Sequence, residues 1–397
     1  MHIYEKLGVR ALINGRSFST KAGGAALPPE VLDAMRQAGE CCVRMDELQD
    51  AASRVIAGAT GAEAGIVTSG AAAALTLGAA ACLTGFDVDR MNRLPDAHGM
   101  PDEFVVHRAH RNDYDHAVRA AGARFVEAGF VYYTFPYEIE GVITPRTAAL
   151  YYQAGVSQGA IPLRQYAEIA HRHNLPVLVD AAAEMPPAHN LKAFIEEGAD
   201  LVAFSGGKHL RGPQATGILC GRRDLILSAA LQHQDMDVFP ETWPLRSLIA
   251  EGSIAGPPHH GIGRGFKVGK EEIAGLLAAL ELYESRDFQG ERDRWTADMQ
   301  CIVAAVLDLP GIRASMVYPQ ANGREVPSAL IHIDAAASGM DAHRVINALQ
   351  ENDPPICVFE KFAGDGQIVI FPEALRPGEA AIISRRLRDI LSTRQVS

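Results

Sequence analysis

Short apolar segments that end near a polar residue alternate with helical segments through the first two thirds of the chain. Examples are residues 64–68, 104–107, 177–180 and 201–204. Parallel strands need long crossover connections, usually helices, and these helices cover both faces of the sheet. The alternation therefore predicts an α/β fold with a mainly parallel sheet. In such sheets ligands bind beyond the carboxyl ends of the strands.

Two residues at strand ends indicate one particular chemistry. Asp180 ends the strand 177–180, and Lys208 follows the strand 201–204 through a Ser-Gly-Gly turn. Partial desolvation at a strand end lowers the pKa of a lysine amine, and a neutral amine attacks an aldehyde. An aspartate keeps a pyridine nitrogen protonated. The pair predicts a site for pyridoxal 5'-phosphate (PLP), with Lys208 as the Schiff-base lysine. Taken singly, Asp180 also fits a helix cap and Lys208 a surface lysine.

A candidate phosphate site lies upstream of this pair. Ser69 and Gly70 follow the strand 64–68 and precede an alanine-rich helical segment. Free backbone N–H groups and the helix dipole both favour an anion at such a helix start. The turn is common by itself, but ahead of a PLP-type lysine it predicts the phosphate cup.

His110 lies just past the strand 104–107. A histidine at this place either stacks on a pyridine ring and moves protons, or caps the following helix. The sequence leaves both interpretations open.

Composition excludes several classes of function. The chain has 397 residues, 48% of them hydrophobic and 21% charged, which is typical of a globular protein of two or three domains. Its formal net charge of −11 argues against a general nucleic-acid-binding surface. The six cysteines are scattered and predict neither a disulfide framework nor a metal site. Without a membrane-spanning apolar stretch or a signal-peptide pattern, we expect a cytoplasmic protein.

The pattern along the chain suggests four parts. Residues 1–25 form an N-terminal arm, residues 26–265 the large domain, residues 266–290 a linking helix, and residues 291–397 a small α/β domain. The last part predicts a largely antiparallel sheet packed against helices.

Several motifs resemble one known branch of enzymes. The segments DAAAE from Asp180, SGGK ending at Lys208, RGPQATGIL from Arg211 and VTSGAAAAL are similar to those of the selenocysteine-synthase-like branch of fold type I PLP enzymes. That branch includes L-seryl-tRNA(Sec) selenium transferase and D-glucosaminate-6-phosphate ammonia-lyase. The resemblance covers about the whole chain and implies an aspartate-aminotransferase-like fold, a cytoplasmic enzyme, and a homodimer or larger homo-oligomer.

The resemblance also assigns residues. It implies that Lys208 binds PLP covalently, that Asp180 pairs with the pyridinium, and that Ser205 assists the phosphate turn. The turn itself is matched by Ser69, Gly70 and Ala71. His110 falls where relatives bring a residue near the ring. Arg376 falls in the small domain, where such enzymes often bind a substrate carboxylate.

The sequence differs from members of this branch in features that affect the choice of substrate. The tRNA-using members carry an extra N-terminal RNA-binding portion and a basic surface, whereas this chain is acidic, so we do not expect tRNA as a partner. The arm contains Arg16, where a smaller residue is expected, and Arg16 is a candidate contact for a substrate anion. We expect a lyase that eliminates a β-substituent from an amino acid or amino-sugar acid and releases ammonia. The alternatives are a racemase, a selenium-transferase-like transferase, and a PLP-binding protein with little catalysis.

Overall fold

A computed structural model describes residues 2–393 and divides the chain into two compact units. The large unit is Leu27–Glu284, and the small unit joins Met1–Ala26 to Ser285–Ser397. The strands of the described residues are, in chain order, β1 Ile13–Gly15, β2 Ala64–Thr68, β3 Glu103–His107, β4 Arg124–Ala128, β5 Thr147–Gln153, β6 Val177–Asp180, β7 Leu201–Ser205, β8 Gly217–Gly221, β9 Ile312–Val317, β10 Ser328–Ile333, β11 Ile356–Val358 and β12 Gln367–Ile370.

The α-helices of the same residues are α1 Ile3–Lys6, α2 Pro29–Gly39, α3 Met45–Thr60, α4 Ala71–Thr84, α5 Val88–Arg93, α6 Asp115–Arg119, α7 Pro136–Glu140, α8 Leu163–Arg172, α9 Asn190–Glu196, α10 Arg223–Leu231, α11 Ser247–Ala250, α12 Lys270–Glu284, α13 Phe288–Ala304, α14 Ala335–Ser338, α15 Ala342–Glu351 and α16 Glu379–Ser392. Short 3-10 turns occur at Thr20–Ala22, Arg108–His110, Ile262–Phe266 and Ala363–Asp365.

The large unit is built on one seven-stranded sheet in the order β2-β8-β7-β6-β5-β3-β4. Strands β7, β6, β5, β3 and β4 pair in parallel, while β8 is antiparallel to both of its neighbours, β7 and β2. Strand β2 therefore has the same direction as the five parallel strands. The predicted mainly parallel α/β sheet is confirmed.

Helix α4 packs very closely on this sheet because its sequence is rich in small residues. Its buried residues include Ala73, Ala74 and Gly78. A Cβ atom at Gly78 would lie 2.9 Å from Leu178 Cδ1 of β6, so a larger residue there would force this leucine side chain to shift. The close approach places the start of α4 next to the carboxyl ends of the central strands.

The small unit contains an antiparallel sheet of three strands in the order β12-β10-β9. In addition, β1 from the N-terminal segment pairs in parallel with β11. Buried side chains from β1, β10, β12, α13, α15 and α16 form one core. The N-terminal segment is thus part of the fold of the small unit. The four-part division given by the sequence stays a prediction.

Across residues 2–393, no helix is both long and apolar enough to cross a lipid bilayer.

Candidate active site

The carboxyl ends of six strands meet at one edge of the large sheet. In β5 and β6, Gln153 is the register partner of Asp180. At the other end of this edge, Gly217 of β8 pairs with both Ser205 of β7 and Thr68 of β2. The backbone therefore brings the ends of β2, β5, β6 and β7 into one row, as expected for a ligand site in a wound sheet.

Asp180 is buried at the end of β6, with only 3% of its surface exposed. Its Oδ1 accepts a hydrogen bond from the N–H of Ala182 at 3.0 Å, and Tyr151 donates to its Oδ2 at 3.3 Å. Burial raises the pKa of Asp180, whereas the Ala182 N–H, the charge of Lys208 and the Tyr151 hydroxyl lower it. The carboxyl group therefore has donors that favour its ionised form.

Lys208 lies in the tight turn that follows β7. The turn is held by hydrogen bonds from the N–H of Gly206 to the Thr216 carbonyl and from the N–H of Gly212 to the Gly206 carbonyl, both 2.8 Å. A Cβ atom at Gly207 would lie 2.6 Å from Gln214 Cα, so this turn requires glycine. Lys208 is half-buried, and its charge acts on Asp180. The two residues singled out in the sequence therefore interact electrostatically.

The Ser69-Gly70 turn stands at the start of α4. Gly70 is the residue before the helix, with φ 101°, and no side chain caps the first turn of the helix. The backbone conformation is one that glycine adopts readily. A Cβ atom at Gly217 would lie 2.4 Å from the carbonyl carbon of Gly70 and 2.6 Å from the nitrogen of Ala71. Helix start and sheet edge are thus in contact, and uncapped N–H groups at a helix start favour an anion.

His110 is buried in the 3-10 turn after β3, and both of its ring nitrogens contact backbone groups. The N–H of Gln153 donates to Nδ1 at 3.2 Å, so Nε2 carries the proton and donates to the Val156 carbonyl at 2.9 Å. Burial lowers the pKa of His110 to about 4, and the Val156 carbonyl opposes this shift. The ring is therefore neutral near pH 7 and orients the end of β5.

The structure adds residues that the sequence interpretation missed. Tyr151 contacts Asp180, while Gln153 accepts a hydrogen bond from Asn112 at 2.8 Å. Glu184 is 8% exposed, and its carboxylate lies against Gly155, where a Cβ atom would be 2.1 Å away. The sequence did not mark Tyr151 and Gln153 as functional residues, because both belong to an apolar strand segment. It did mark Glu184, which ends the DAAAE motif.

The two arginines proposed for substrate binding belong to the small unit. Arg376 is 65% exposed on its side chain and pairs with Glu379 at 3.0 Å, at the start of α16. The carboxylate of Glu379 also accepts from the Arg376 N–H at 2.8 Å. This geometry favours a structural role for Arg376. Arg16 pairs with Glu360 at 2.6 Å.

A cavity of about 460 Å³ in the large unit contains none of these residues. Its walls include Gln49 and Trp243 and the cations Arg264 and Lys267. Gln49 bonds to the backbone of Val67, the residue before Thr68, through both ends of its amide. The cavity therefore adjoins β2 near the edge of the sheet where the candidate residues lie.

Comparison with known proteins identifies the family. Residues 131–358 match the family described as aminotransferase class-V. The chain belongs to the aminotransferase class-V family. Enzymes of this family depend on PLP. The predicted fold type I architecture is confirmed, because the structure of a D-glucosaminate-6-phosphate ammonia-lyase superposes with a TM-score of 0.82, with 29% sequence identity, over 99% of this chain and 98% of that chain.

Relatives that match nearly the whole chain bear the names of two different activities. The D-glucosaminate-6-phosphate ammonia lyase of Salmonella typhimurium is 30% identical over 98% of each chain. The 5'-C-glycyluridine monooxygenase-decarboxylase of a Streptomyces species is 32% identical over 98% of this chain and 92% of its own. The L-seryl-tRNA(Sec) selenium transferase of Moorella thermoacetica is more distant, at 27% identity over 67% of this chain and 57% of its own. The predicted resemblance is confirmed.

The described residues fit the cofactor of this family. PLP needs an amine, a carboxylate for its pyridine nitrogen and an anion cradle for its phosphate. Lys208 and Asp180 interact at the sheet edge, and the uncapped start of α4 contacts the same edge through Gly217. Gly207 allows close contact with the backbone of Gln214, and Gly217 allows close contact with the backbone of Gly70 and Ala71.

Proposed function

We propose that the protein is a PLP-dependent lyase. It removes ammonia from an amino acid or amino-sugar acid and releases a 2-oxo acid. The observation that carries the proposal is the buried carboxylate of Asp180, on which the charge of Lys208 acts, at the carboxyl edge of a parallel sheet. The substrate class comes from the ammonia lyase to which the chain is 30% identical over its length.

In this proposal each residue holds one part of the cofactor. Lys208 binds PLP covalently, and Asp180 keeps the pyridine nitrogen protonated. When bound, PLP supplies an electron sink for a carbanion at the substrate Cα. The phosphate binds at the start of α4, held by Ser69, Gly70, Ala71 and Ser205.

Lys208 and Asp180 then have separate tasks in the reaction. With PLP bound, the Nζ of Lys208 would take the α-proton of the substrate as general base. The same ammonium delivers a proton to the leaving β-hydroxyl, so that water departs. Hydrolysis of the resulting enamine consumes one water and gives a 2-oxo acid and ammonia. The water lost in the elimination equals the water consumed in the hydrolysis, so the net reaction removes only ammonia.

His110 is better suited to positioning than to proton transfer. A racemase of this type needs a second acid on the opposite face of the substrate. The Nδ1 and Nε2 atoms of His110 both contact backbone groups, and burial holds its pKa near 4. These contacts support the lyase over a racemase that uses His110. We propose that His110 fixes Gln153 at the end of β5.

One comparison favours a second candidate function. The Streptomyces relative is as similar as the ammonia lyase and bears the name of a monooxygenase-decarboxylase. An oxygen-dependent decarboxylase of an amino acid uses the same Lys208 and Asp180 pair, because it also needs an electron sink at Cα. It differs in its products, since it consumes dioxygen and releases carbon dioxide.

The test is a substrate screen with three readouts. The holoenzyme is incubated with D-glucosaminate-6-phosphate, D-glucosaminate and a set of D- and L-amino acids, and ammonia, carbon dioxide and dioxygen are followed. Ammonia release without dioxygen uptake supports the lyase. Dioxygen uptake with carbon dioxide release contradicts it and supports the decarboxylase. The Lys208→Ala variant is the blank for each reaction.

We further propose that the protein acts as a homodimer or larger homo-oligomer in the cytoplasm and does not use tRNA. The net charge of −11 supports the last point, because tRNA binding requires clustered cations. Light scattering after size-exclusion chromatography tests the oligomeric state. Retention on immobilised tRNA at low salt would contradict the exclusion of nucleic acid.

A further inference from the structure

A row of exposed aromatic side chains lies on the segment that follows β4 in the large unit. Residues 129–137 have the sequence GFVYYTFPY, and we call them the aromatic segment. Five of its side chains are rings with 49–76% of their surface exposed: Phe130, Tyr132, Tyr133, Phe135 and Tyr137. On globular proteins, a contiguous exposed apolar patch of this kind marks an interaction site.

Four of these rings contact one another in a continuous row. Phe130 stacks on Tyr133 with ring centroids 5.5 Å apart, and Phe135 stacks on Tyr137 at 5.8 Å. A tilted contact of 5.6 Å between the rings of Tyr133 and Phe135 joins the two pairs. Aromatic pairs attract each other at these distances, so the row is an ordered surface.

The backbone beneath the rings is fixed at several points. The N–H of Phe130 donates to the Tyr133 carbonyl at 2.9 Å. Gly129 has a φ of 74°, and a Cβ atom there would lie 2.1 Å from the Thr134 hydroxyl oxygen, so the turn requires glycine. Thr134 is buried, and its hydroxyl donates to the Gly159 carbonyl. Groups that are already ordered lose little freedom on binding, which lowers the cost of association.

The exposed area of the rings indicates the size of the partner. At roughly 200 Å² for a whole aromatic side chain, the five rings expose on the order of 600 Å². A stable protein–protein interface buries about 800 Å² on each partner. The rings alone supply most of that area, whereas a small ligand would cover only one or two of them.

The charge of the chain indicates which protein fits. The aromatic segment contains no charged residue, whereas the whole chain has a formal net charge of −11. Two copies of this chain therefore repel each other least where these segments meet. Tyrosine and phenylalanine are enriched in interface cores, from which charged residues are depleted. The segment lacks the lysines and arginines by which proteins bind nucleic acids and membrane surfaces.

We propose that residues 129–137 form a contact between two copies of this chain, in which the row of rings of one copy packs against the same row of the other. A two-fold axis through the rows makes this interface isologous. This inference rests on the proposed homo-oligomer, for which it names the interface, and it does not depend on the reaction that the protein catalyses.

The contact adjoins the candidate active site of the same copy. A Cβ atom at Gly159 would lie 2.1 Å from the Val131 carbonyl oxygen and 3.0 Å from Ala109 Cβ. Ala109 precedes His110, whose ring donates to the Val156 carbonyl at 2.9 Å. The aromatic segment, the turn after β3 and the loop after β5 therefore meet. Association of two copies supports the loop that holds His110.

The experiment is sedimentation equilibrium of the holoenzyme, which measures the dissociation constant of the oligomer. Tyr132→Arg replaces an exposed ring of each copy by a cation, so the dissociation constant should rise at least about 10-fold. Phe239→Arg is the matched control, because Phe239 is a 77% exposed ring of the large unit outside the aromatic segment. The control should associate as the wild type does. A dissociation constant unchanged by Tyr132→Arg overturns the proposal.

Photo-cross-linking locates the contact without disrupting it. Tyr132 is replaced by p-benzoylphenylalanine, and light and heavy isotope-labelled copies are mixed so that mass spectrometry identifies links between copies. The links should end within residues 130–137 of the second copy. Links between copies that end elsewhere, or no links between copies, overturn the proposal.

Two further outcomes separate this inference from the other proposals. If Tyr132→Arg leaves the oligomer intact but raises the dissociation constant of a substrate, the rings bind a small ligand and the proposed contact is wrong. If the wild type is a monomer at every concentration, both the homo-oligomer and the contact are wrong. Ammonia release by the same samples tests the lyase separately.

Discussion

Tyr151 donates its phenolic hydrogen to Asp180 Oδ2 at 3.3 Å, from the strand next to the one that Asp180 ends. Both side chains are buried, so neither can replace the other with water. A carboxylate that accepts hydrogen bonds in a buried place is stabilised in its ionised form. Tyr151 therefore supports the charge state that a partner of a pyridinium needs.

Replacing Tyr151 by Phe removes this donor and keeps the ring. The pKa of Asp180, already raised by burial, should rise further, because one of the groups that lower it is lost. We expect the acid side of the pH–activity profile to move to higher pH, and PLP affinity to fall roughly fivefold for a loss of about 1 kcal/mol. The measurement is a pH titration of the visible absorbance of the bound cofactor.

Tyr152→Phe is the matched control for this variant. Tyr152 is the next residue of β5, and its hydroxyl donates to the Ile161 carbonyl at 3.3 Å instead of to Asp180. In Tyr152→Phe, the pH titration of the cofactor absorbance should be the same as in the wild type. Identical pH profiles of the Tyr151 and Tyr152 variants would refute the role given to Tyr151.

Substitutions of Lys208 and Asp180 should have different effects on cofactor absorbance and on activity. Lys208→Ala removes the amine, so the visible absorbance of the covalently bound cofactor should disappear while PLP still binds at the start of α4. Asp180→Asn keeps the shape and loses the charge, so absorbance should persist while activity falls about 10²- to 10³-fold. Absorbance spectra and ammonia assays of both variants separate the two roles. Persisting absorbance in Lys208→Ala would exclude it as the covalent lysine.

The strands and the Asp180–Lys208 pair were predictable because local signals decide them. The ends of β2, β6 and β7 are each marked by an apolar run followed by a polar residue, and glycine marks the turn before Lys208. Tyr151 was not predictable, because a tyrosine in a buried strand is usually a core residue. Arg376 stays a predicted substrate contact, and its ion pair with Glu379 was not predicted from the sequence. Long-range pairings such as Arg16 with Glu360 have no local sequence signal.

His110 should make the protein sensitive to acid. Its pKa is lowered from its usual 6.5 to about 4 by burial, so the unfolded chain binds the proton first as pH falls. The stability due to the neutral ring is complete above pH 6.5 and is lost as pH falls towards 4. The loss between pH 7 and pH 5 amounts to roughly 2 kcal/mol in the free energy of unfolding.

Urea unfolding at these two pH values tests this expectation. His110→Gln should be less stable at pH 7, because two buried backbone contacts are changed, but should lose less stability on acidification. His98→Gln is the control, since His98 is exposed on the surface of the same unit. An equal loss on acidification in His110→Gln and the wild type would show that another group, such as the neighbouring His107, controls the acid response.

Gly217 should be required for cofactor binding because it holds β8 against the start of α4. A Cβ atom at this position would lie 2.4 Å from the Gly70 carbonyl carbon and 2.6 Å from the Ala71 nitrogen. Gly217→Ala must therefore displace the turn that presents the free N–H groups, at a cost of about 1–3 kcal/mol. Because these groups hold the phosphate in the proposed site, we expect PLP affinity to fall about 10-fold or more.

The matched control is Gly256→Ala, where a Cβ atom would meet nothing within 4 Å. PLP affinity is measured by fluorescence titration of the apoenzyme, with the thermal midpoint recorded for each variant. Gly217→Ala should lower both PLP affinity and the midpoint, whereas Gly256→Ala should leave both close to the wild-type values. A variant that binds PLP as tightly as the wild type would place the phosphate elsewhere, because the start of α4 cannot keep its position with the added methyl group.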